Sequence, residues 1–435
     1  MSKKSNTSNM AKGKKRLRAA DVKNDKDEIN KQPPGKKLKP SKVCHDSICT
    51  MGGCVLTLGQ GDTGQLGLGP DVMERTKPGK VDIDAPVVQI SAGGMHTVCL
   101  TDKGEVFTFG CDDEGALGRD ASDEDEMFSP GKVNLDHKII QVSAGDSHTA
   151  ALTDSGHVYA WGTFRDSNGS IGLLPDGSKA KRPTVFMTHP RVLKICSGTD
   201  HLVCLTEDGG VYTAGCADQG QLGRIAECFS QRGGRKGLTH LLTPMRIYCR
   251  KRNLRFSDVW TGQYHTFARS TNGNIYAWGL NNYYQLGFSD MLNRFMPEIS
   301  SSFDSNKGWK EISGGQHHTL ALDKDGCVYS LGRKEYGRLG LGKENLEEKS
   351  APTLVPRLKD EKCVHVDCAT AVSFAVTDKG AAYAWGMGTS SQLGQTDEDD
   401  LYEPTPIAGK QLENRSVLLV SAGGQHTVIL AKDNS

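Results

Sequence analysis

A short pattern, x-x-L-G, occurs seven times in the sequence and divides it into units of similar length. Successive copies lie 51 to 64 residues apart. Two further signatures accompany it, A/S-G-x-x-H-T and an alternating apolar run that ends in Gly. A repeat of this length indicates a solenoid, a propeller or an array, in which each unit buries its apolar face against its neighbours. The seven copies centre on Leu66, Leu117, Ile171, Leu222, Leu286, Leu339 and Leu393.

Each repeat unit contains about four short runs of alternating apolar and polar residues, separated by Gly-rich turns. Long segments with the helical period of 3.6 residues are absent from the sequence. Seven units of four strands predict an all-β, seven-bladed β-propeller with four-stranded blades. The last unit lacks its V-Y-x-W-G run, and Cys54–Gly59 supplies a matching run. We therefore predict that the N-terminal strand closes the ring and leaves no exposed sheet edge there.

The charge of the chain is divided between a basic tail and an acidic body. Residues 1–50 carry 14 Lys/Arg and 5 Asp/Glu, whereas the remaining 385 residues carry 39 and 47. This composition predicts a disordered tail over residues 1–50 and a propeller over residues 51–435. Two basic clusters in the tail fit a nuclear import signal or contacts with DNA phosphates, or else a tail that only increases solubility. The clusters contain Lys14, Lys15, Arg16, Arg18, Lys36, Lys37 and Lys39.

Cysteine spacing and hydropathy argue against several classes of protein. The 13 cysteines lie singly, without the paired spacing of a zinc site, so we expect a reduced, intracellular protein without a metal. We find no apolar run that would cross a membrane and no signal peptide. A G-x-x-x-x-G-K-[ST] loop is also absent, so we expect no nucleotide pocket and no cofactor. A propeller hydrolase would need acids or metal ligands converging on the central channel, and no such cluster departs from the repeat.

One histidine recurs in six units, and we expect it to serve packing by hydrogen bonding within its own blade. A residue that serves chemistry is needed once, whereas a packing residue is needed in every blade. Function is expected where a copy departs from the pattern, as at Asp146, Asp200 and the additional His317. Each lies in a predicted loop, where a merely solvated side chain is the alternative. The repeated histidines are His96, His148, His201, His265, His318 and His426.

The strongest departure from the repeat follows Trp161-Gly162. Other units pass from this point into x-x-x-G-x-L-G, whereas this one projects Phe164, Arg165 and Asp166 ahead of a turn at residues 167–169. The segment is either an ordinary hairpin or a protruding wedge. A second departure is a long insertion that carries Arg232 and Arg235. Two arginines on a Gly-rich loop suit an acidic surface or phosphates, although a solvated basic loop is the alternative.

Taken together, these motifs resemble those of the regulator of chromosome condensation family, the guanine nucleotide exchange factors of the GTPase Ran. The resemblance covers about residues 50–430. It implies a seven-bladed propeller that accelerates nucleotide release without covalent chemistry and needs no cofactor. The motifs that carry it are Gly59-Gln60-Gly61-Asp62, Gly145-Asp146-Ser147-His148, Phe164–Gly169, Gly220–Arg224, Gly314–Thr319 and Lys410–Arg415.

The resemblance also implies roles for individual residues and partners. Arg232 and Arg235 would bind the acidic patch of the nucleosome, while the tail would lie along DNA and bind a nuclear import receptor. The implied protein is a nuclear, chromatin-associated monomer, and the alternative is a chromatin-binding or scaffold propeller without exchange activity. The exchange step would depend on Asp146, Asp200 and the wedge residues Phe164, Arg165, Asp166, Ser167 and Asn168. GTPase binding would involve Asp62, His96, Arg224, Asn282, His317 and His426.

Overall fold

The computed structural model describes residues 52–230, 237–249, 251, 253–345 and 347–434. These residues form seven four-stranded antiparallel sheets and one small hairpin. The innermost strand of each sheet contacts the innermost strand of the next, and that of the last sheet contacts that of the first. The sheets therefore form a closed ring, which confirms the predicted seven-bladed β-propeller.

The first half of the chain supplies two leading strands and three blades, and each blade runs from its inner to its outer strand. The leading strands are β1 (Cys54–Gln60) and β2 (Glu74–Lys80). Blade 1 contains β3 (Val87–Ala92), β4 (His96–Thr101), β5 (Val106–Gly110) and β6 (Gly131–Lys132). Blade 2 contains β7 (Ile139–Ala144), β8 (His148–Thr153), β9 (Val158–Gly162) and, after the hairpin of β10 (Phe164–Asp166) and β11 (Gly169–Gly172), β12 (Ala180–Met187). Blade 3 contains β13 (Val192–Ser197), β14 (His201–Thr206), β15 (Val211–Gly215) and β16 (Met245–Arg246).

The second half supplies the remaining four blades. Blade 4 contains β17 (Phe256–Thr261), β18 (His265–Ser270), β19 (Ile275–Gly279) and β20 (Arg294–Ile299). Blade 5 contains β21 (Glu311–Gly314), β22 (His318–Leu322), β23 (Val328–Gly332) and β24 (Lys349–Leu354). Blade 6 contains β25 (Cys363–Cys368), β26 (Val372–Thr377), β27 (Ala382–Gly386) and β28 (Leu401–Pro406). Blade 7 begins with β29 (Arg415–Ala422) and β30 (His426–Asp433).

Short helices occupy the connections between strands. None of those in the described ranges is long and apolar enough to cross a membrane. They are α1 (Glu124–Phe128), α2 (Glu227–Ser230) and α3 (Leu238–Leu242), with 3-10 turns at Ser305–Lys307, Glu335–Gly337 and Pro356–Leu358.

Blade 7 joins strands from opposite ends of the sequence. Its strand order is β29, β30, β1, β2, and β1 pairs with β30 from Cys54 opposite Ala431 to Gly59 opposite His426. The predicted closure by the N-terminal strand is confirmed. The structure adds β2 as the outer strand, so the N-terminal segment supplies half of the blade.

The repeated Trp and Gly residues meet at the boundaries between blades. The fully buried Trp161, at the end of β9, donates its indole N–H to the carbonyl of Ala116 in blade 1 at 2.8 Å. Gly118 has φ +69° and lies so close that a Cβ there would come within 2.6 Å of the indole nitrogen. A left-handed conformation against a ring favours glycine, which accounts for the Gly of x-x-L-G. Equivalent bonds join Trp278 to the Gln221 carbonyl and Trp385 to the Arg338 carbonyl.

The repeated histidines also join neighbouring blades, so the prediction that they bond within their own blade is wrong. Each is buried, and its Nε2 lies 2.8 to 3.4 Å from a hydroxyl of the next blade. Burial lowers the pKa of His96 to about 4 and that of His426 to about 3, so these rings are neutral. The pairs are His96–Thr149, His148–Ser197, His201–Thr266, His265–Thr319, His318–Ser373 and His426–Thr97.

A different buried histidine, His365 in β25, connects three blades. Its Nδ1 lies 3.0 Å from a carboxylate oxygen of Glu311 in blade 5, and its Nε2 lies 2.7 Å from the carbonyl oxygen of Val420 in blade 7. Both partners are acceptors, so both ring nitrogens donate and the ring is an imidazolium. Burial alone would lower its pKa, but the charge of Glu311 and the hydrogen bonds raise it to about 9.

Candidate functional site

The irregular residues lie at one end of the ring. Because neighbouring strands are antiparallel, the loops after the first and third strands of every blade emerge at the same end. We call this end the loop face. It carries Asp146 and Asp200 after first strands, the β10–β11 hairpin after a third strand, and His317 after β21.

The segment predicted as either an ordinary hairpin or a protruding wedge forms the β10–β11 hairpin, a separate two-stranded sheet that we call the wedge. Its turn is fixed by Asp166, whose carboxylate accepts the N–H of Asn168 at 2.7 Å, and by Gly169 with φ +111°. Phe164 was expected to project, but it is fully buried, with its ring 4.6 Å from that of His148. Phe164 therefore anchors the hairpin in the core and leaves residues 165–168 at its tip.

Three acidic side chains from the neighbouring blades hold the wedge. Asp200 of blade 3 accepts the Arg165 backbone N–H at 2.7 Å. Glu114 of blade 1 accepts the Arg165 guanidinium at 2.8 Å. Asp218 of blade 3 accepts the Ser167 N–H at 3.3 Å. The tip is thus fixed from both sides before any partner binds.

The two carboxylates Asp146 and Asp200 border the mouth of the central channel, a cavity of about 480 Å³. Asp200 is only 8% exposed. Burial and the nearby Asp146 raise its pKa to about 7, despite the opposing effect of Arg165. Asp146 is at the surface, yet the surrounding loops limit its hydration and raise its pKa, an effect that Arg165 partly offsets. The channel mouth therefore holds two carboxylates that are costly to ionise without a cationic partner.

Across a groove of about 410 Å³ from the wedge lies the pair formed by Asn282 and His317. The Nδ1 of His317 lies 3.0 Å from the Asn282 side-chain oxygen. Burial, followed by the charges of Arg338 and Arg333, lowers the pKa of His317 to about 4. The ring is therefore neutral at pH 7, and with Nδ1 donating to Asn282, Nε2 is the acceptor on this side of the loop face.

Other predicted GTPase-binding residues differ in how far they reach the surface. Asp62 is exposed and accepts a hydrogen bond from Gln65 at 3.3 Å. His96 and His426 are buried between blades, so their side chains serve packing, and a direct contact with a GTPase stays a prediction. Arg224 is half-buried and donates to the carbonyl oxygens of Thr213, Leu241 and Thr243. It therefore ties the insertion to blade 3.

Sequence patterns alone did not single out Glu114 and Asp218, although both occupy x positions of the loop after a third strand. The signal that could have found them is their place in the blades on either side of the wedge.

Within the described residues, no group of three or more His, Cys, Asp or Glu side chains could hold a metal ion.

Several predicted residues lie outside the part of the chain that the structure describes, so their roles stay predictions. They are Arg232 and Arg235 of the insertion, and Lys14, Lys15, Arg16, Arg18, Lys36, Lys37 and Lys39 of the tail.

Comparison with known proteins places this geometry in a family. A family model described as RCC1-like domain matches residues 54–429. The human (Homo sapiens) regulator of chromosome condensation is 55% identical over 402 residues, which cover 91% of this chain and 95% of the human one. Guanine nucleotide exchange factor SRM1 of Saccharomyces cerevisiae is 30% identical, with 85% of each chain covered.

A solved structure shows the same similarity in three dimensions. The crystal structure of Prp20p from Saccharomyces cerevisiae, studied with its binding to Gsp1p and histones, has a TM-score of 0.80 and 30% identity, and the match covers 89% of this chain and 93% of Prp20p. Sequence and structure agree over nearly the whole propeller. This chain therefore belongs to the regulator of chromosome condensation family of RCC1-like propellers.

Proposed function

We propose that this protein is a guanine nucleotide exchange factor for the small GTPase Ran. The observation that carries the proposal is the wedge, a hairpin anchored by a buried Phe164 and held by carboxylates of two neighbouring blades. The yeast relative SRM1 is named as a guanine nucleotide exchange factor, which supports the same activity in this chain. Exchange requires no covalent bond to be made or broken. A face that presents carboxylates, an amide and a neutral imidazole is therefore sufficient for this activity.

The energetic requirement explains why the wedge must be rigid. A nucleotide held at about picomolar affinity is bound by roughly 16 kcal/mol, so the exchange factor must stabilise the empty GTPase by a comparable amount. Ordering a flexible loop during binding would subtract from that amount. Tethers from Asp200, Glu114 and Asp218 hold the tip of the wedge in place beforehand. Binding energy is then available to displace the nucleotide.

The carboxylates at the channel mouth supply the electrostatic part of the mechanism. Once the nucleotide leaves, the phosphate-binding region of the GTPase has basic groups without an anion. Asp146 is exposed at the mouth and can offer negative charge to those groups. A cation there would lower the raised pKa of Asp146 and keep it ionised. The carboxylate therefore favours the nucleotide-free state over the nucleotide-bound state.

The test is release of fluorescent GDP from Ran by catalytic amounts of the full chain. We expect fast release by the wild type and release slowed at least about tenfold by Asp146→Ala, because the variant lacks the charge that replaces phosphate. Asp154→Ala is the matched control, since Asp154 is an exposed aspartate in the turn after β8, at the opposite end of the same blade. A wild-type protein that releases no GDP would refute the proposal.

We further propose that the exchange factor acts on chromatin in the nucleus, with two separate regions. The propeller would bind the GTPase and, through Arg232 and Arg235, the acidic patch of the nucleosome. The basic tail, residues 1–50, would contact DNA phosphates and bind the nuclear import receptor. Support comes from the charge of the tail and from the study of Prp20p with histones.

Nucleosome binding between 50 and 200 mM salt tests this division. Neutralising several phosphates releases counterions, so binding by the full chain should weaken steeply, by a hundredfold or more. A chain that begins at Gly52 should bind more weakly and show a smaller salt dependence, while its GDP release stays unchanged. Equal salt dependence of the two chains would exclude the tail from the DNA contact.

A further inference from the structure

A cluster of aromatic and charged side chains lies beside His317 on the loop face. The Tyr283 ring contacts the His317 ring edge to face, with centroids 5.0 Å apart. The guanidinium of Arg333 lies 4.6 Å from the centroid of the Tyr283 ring, and its Nε donates to Glu335 at 2.7 Å. Tyr336 completes the cluster. We call Tyr283, Arg333, Glu335 and Tyr336 the aromatic patch.

Tyr336 is held in a conformation that the fold does not require. Its φ is +63°, in the left-handed region that residues with a Cβ seldom adopt, and the next residue, Gly337, is also left-handed at φ +73°. The corresponding loops of blades 1 and 3 turn with one left-handed residue, Gly115 or Gly220. Backbone strain of this kind persists where surrounding structure enforces it, and it concentrates at functional sites.

The strained backbone presents an aromatic ring to solvent. Tyr336 is 43% exposed, although its ring packs over the guanidinium of the buried Arg338, 5.3 Å from the centroid. Tyrosine and arginine are among the residue types that most often dominate binding energy at protein interfaces. A ring held by its backbone and by a cation beneath it loses little conformational entropy on binding.

Charge divides the loop face into two halves. The wedge side carries Asp146, Asp166, Asp200 and Asp218 around Arg165, whereas the side of the aromatic patch carries the half-buried Arg333, which is paired with Glu335. The groove between the wedge and His317 connects the two halves. A partner that lies across this face therefore needs basic groups over the wedge side and acidic groups over the patch.

We propose that the aromatic patch is a second contact surface for the GTPase and binds an acidic segment of it. This inference rests on the proposed exchange activity. The wedge and channel mouth act on the nucleotide site, while the aromatic patch fixes the orientation in which the GTPase docks. The patch therefore contributes binding energy that is the same with and without nucleotide, which changes KM and leaves kcat.

Steady-state exchange kinetics on Ran loaded with fluorescent GDP test the proposal with two variants of the full chain. Arg333→Glu reverses the charge of the patch and should raise KM about tenfold or more, with kcat within twofold of the wild type. Tyr336→Gly removes the ring and should raise KM several-fold. Glycine adopts the left-handed backbone without strain, so the melting temperature of this variant should be unchanged or higher.

Matched controls use the same residue types away from the loop face. Tyr248→Ala removes a tyrosine that is 71% exposed, and Arg357→Glu reverses an exposed charge between β24 and β25, at the other end of blade 5. Both should match the wild type in KM and kcat. Asp146→Ala should instead lower kcat.

The possible outcomes test the aromatic patch and the exchange activity separately. Unchanged KM in both patch variants, with an active wild type, would overturn the aromatic patch and leave the exchange activity intact. Patch variants that lose nucleosome binding but have the KM of the wild type would assign the surface to chromatin. That result would also overturn the proposal that the aromatic patch binds the GTPase. A wild type without GDP release would refute the exchange activity, and the affinity of nucleotide-free Ran for the same variants would then decide whether the patch binds the GTPase.

Discussion

Asp200 combines two functions in one side chain. Its carboxylate accepts the Arg165 N–H and so holds the wedge, and its charge lies at the mouth of the channel. At a pKa of about 7 it is half protonated at neutral pH. Protonation removes the charge, but a protonated carboxyl still has an oxygen that can accept the Arg165 N–H. The two functions can therefore be separated by substitution and by pH.

We expect Asp200→Asn to keep the wedge in place and to lose the charge, whereas Asp200→Ala loses both. At pH 8, kcat/KM for GDP release should decrease in the order wild type, Asn, Ala. The wild type should approach the Asn variant as pH falls from 8 to 6, because the carboxyl becomes protonated through its pKa of about 7. If Asn and Ala are equally slow at pH 6, the tether to Arg165 contributes nothing.

The Asp200→Asn substitution should also stabilise the fold. The pKa of Asp200 is raised from the ordinary aspartate value of 3.8 to about 7 in the folded protein, so folding favours the protonated form. The ionised carboxyl lowers stability progressively from about pH 4 to pH 7, and by a constant amount above pH 7, on the order of 2–4 kcal/mol. Urea unfolding should thus show Asp200→Asn to be more stable than wild type at pH 8, with little difference near pH 4.

At the residue scale, the sequence indicated which residues lie in the loops but not how deeply each side chain is buried. Asp146, Asp200 and His317 were predicted because each interrupts a pattern repeated in other blades. The burial of Phe164 was not predicted, because the alternation of inward and outward positions stops at Gly162, where β9 ends. The acidic partners of the wedge come from other blades, and a repeat does not show which side chains meet across a boundary.

Contacts between neighbouring blades, at the scale of elements, explain most of the repeated signatures. The Trp residues of one blade bond to the preceding blade and its His residue bonds to the next, so two series of equivalent hydrogen bonds hold the ring. Blade 6 has Val372 where the other blades have His. The same blade carries His365, which bonds to Glu311 of blade 5 and to Val420 of blade 7. Blade 6 thus lacks the repeated neutral histidine but has a charged histidine, His365, near the end of the channel opposite the loop face.

The imidazolium of His365 predicts a pH dependence of stability. Its pKa is raised from 6.5 to about 9, so its contribution is complete below about pH 6.5 and is lost as pH rises through 9. The contribution is on the order of 1–3 kcal/mol. Glu311 is the main charge that faces the ring, and Asp367 adds to it.

Unfolding free energies of wild type and His365→Gln, measured from pH 6 to pH 10, check this expectation. The stability difference between them should be largest at pH 6 and should shrink as pH approaches 10. The control is His240→Gln, which replaces an exposed histidine of α3. Its unfolding free energy should follow that of the wild type at every pH. A difference that stays constant with pH would mean that the ring is not charged in the folded protein.

On the scale of the whole molecule, the fold was predictable because its repeat is strong. Seven copies of one pattern indicated the number of blades, and the unit without its third strand indicated closure by Cys54–Gly59. The outer strand β2 was not predicted, because Glu74–Lys80 is mostly charged and lacks apolar alternation. Outer strands face solvent, and charged residues there protect the exposed edge against pairing with other chains. Edge strands thus lack the signal by which inner strands are recognised.

The shared blade 7 also sets the order of events while the protein is being made. The apolar residues Val55, Leu56 and Leu58 of β1 leave the ribosome early, but their partner strand β30 begins only at His426. At about 5–20 residues per second, β1 waits roughly 20–75 s for its partner. Six blades can form during that interval, whereas the seventh cannot. Chaperone binding during synthesis should therefore concentrate on β1, and completion of the ring waits for the arrival of β30.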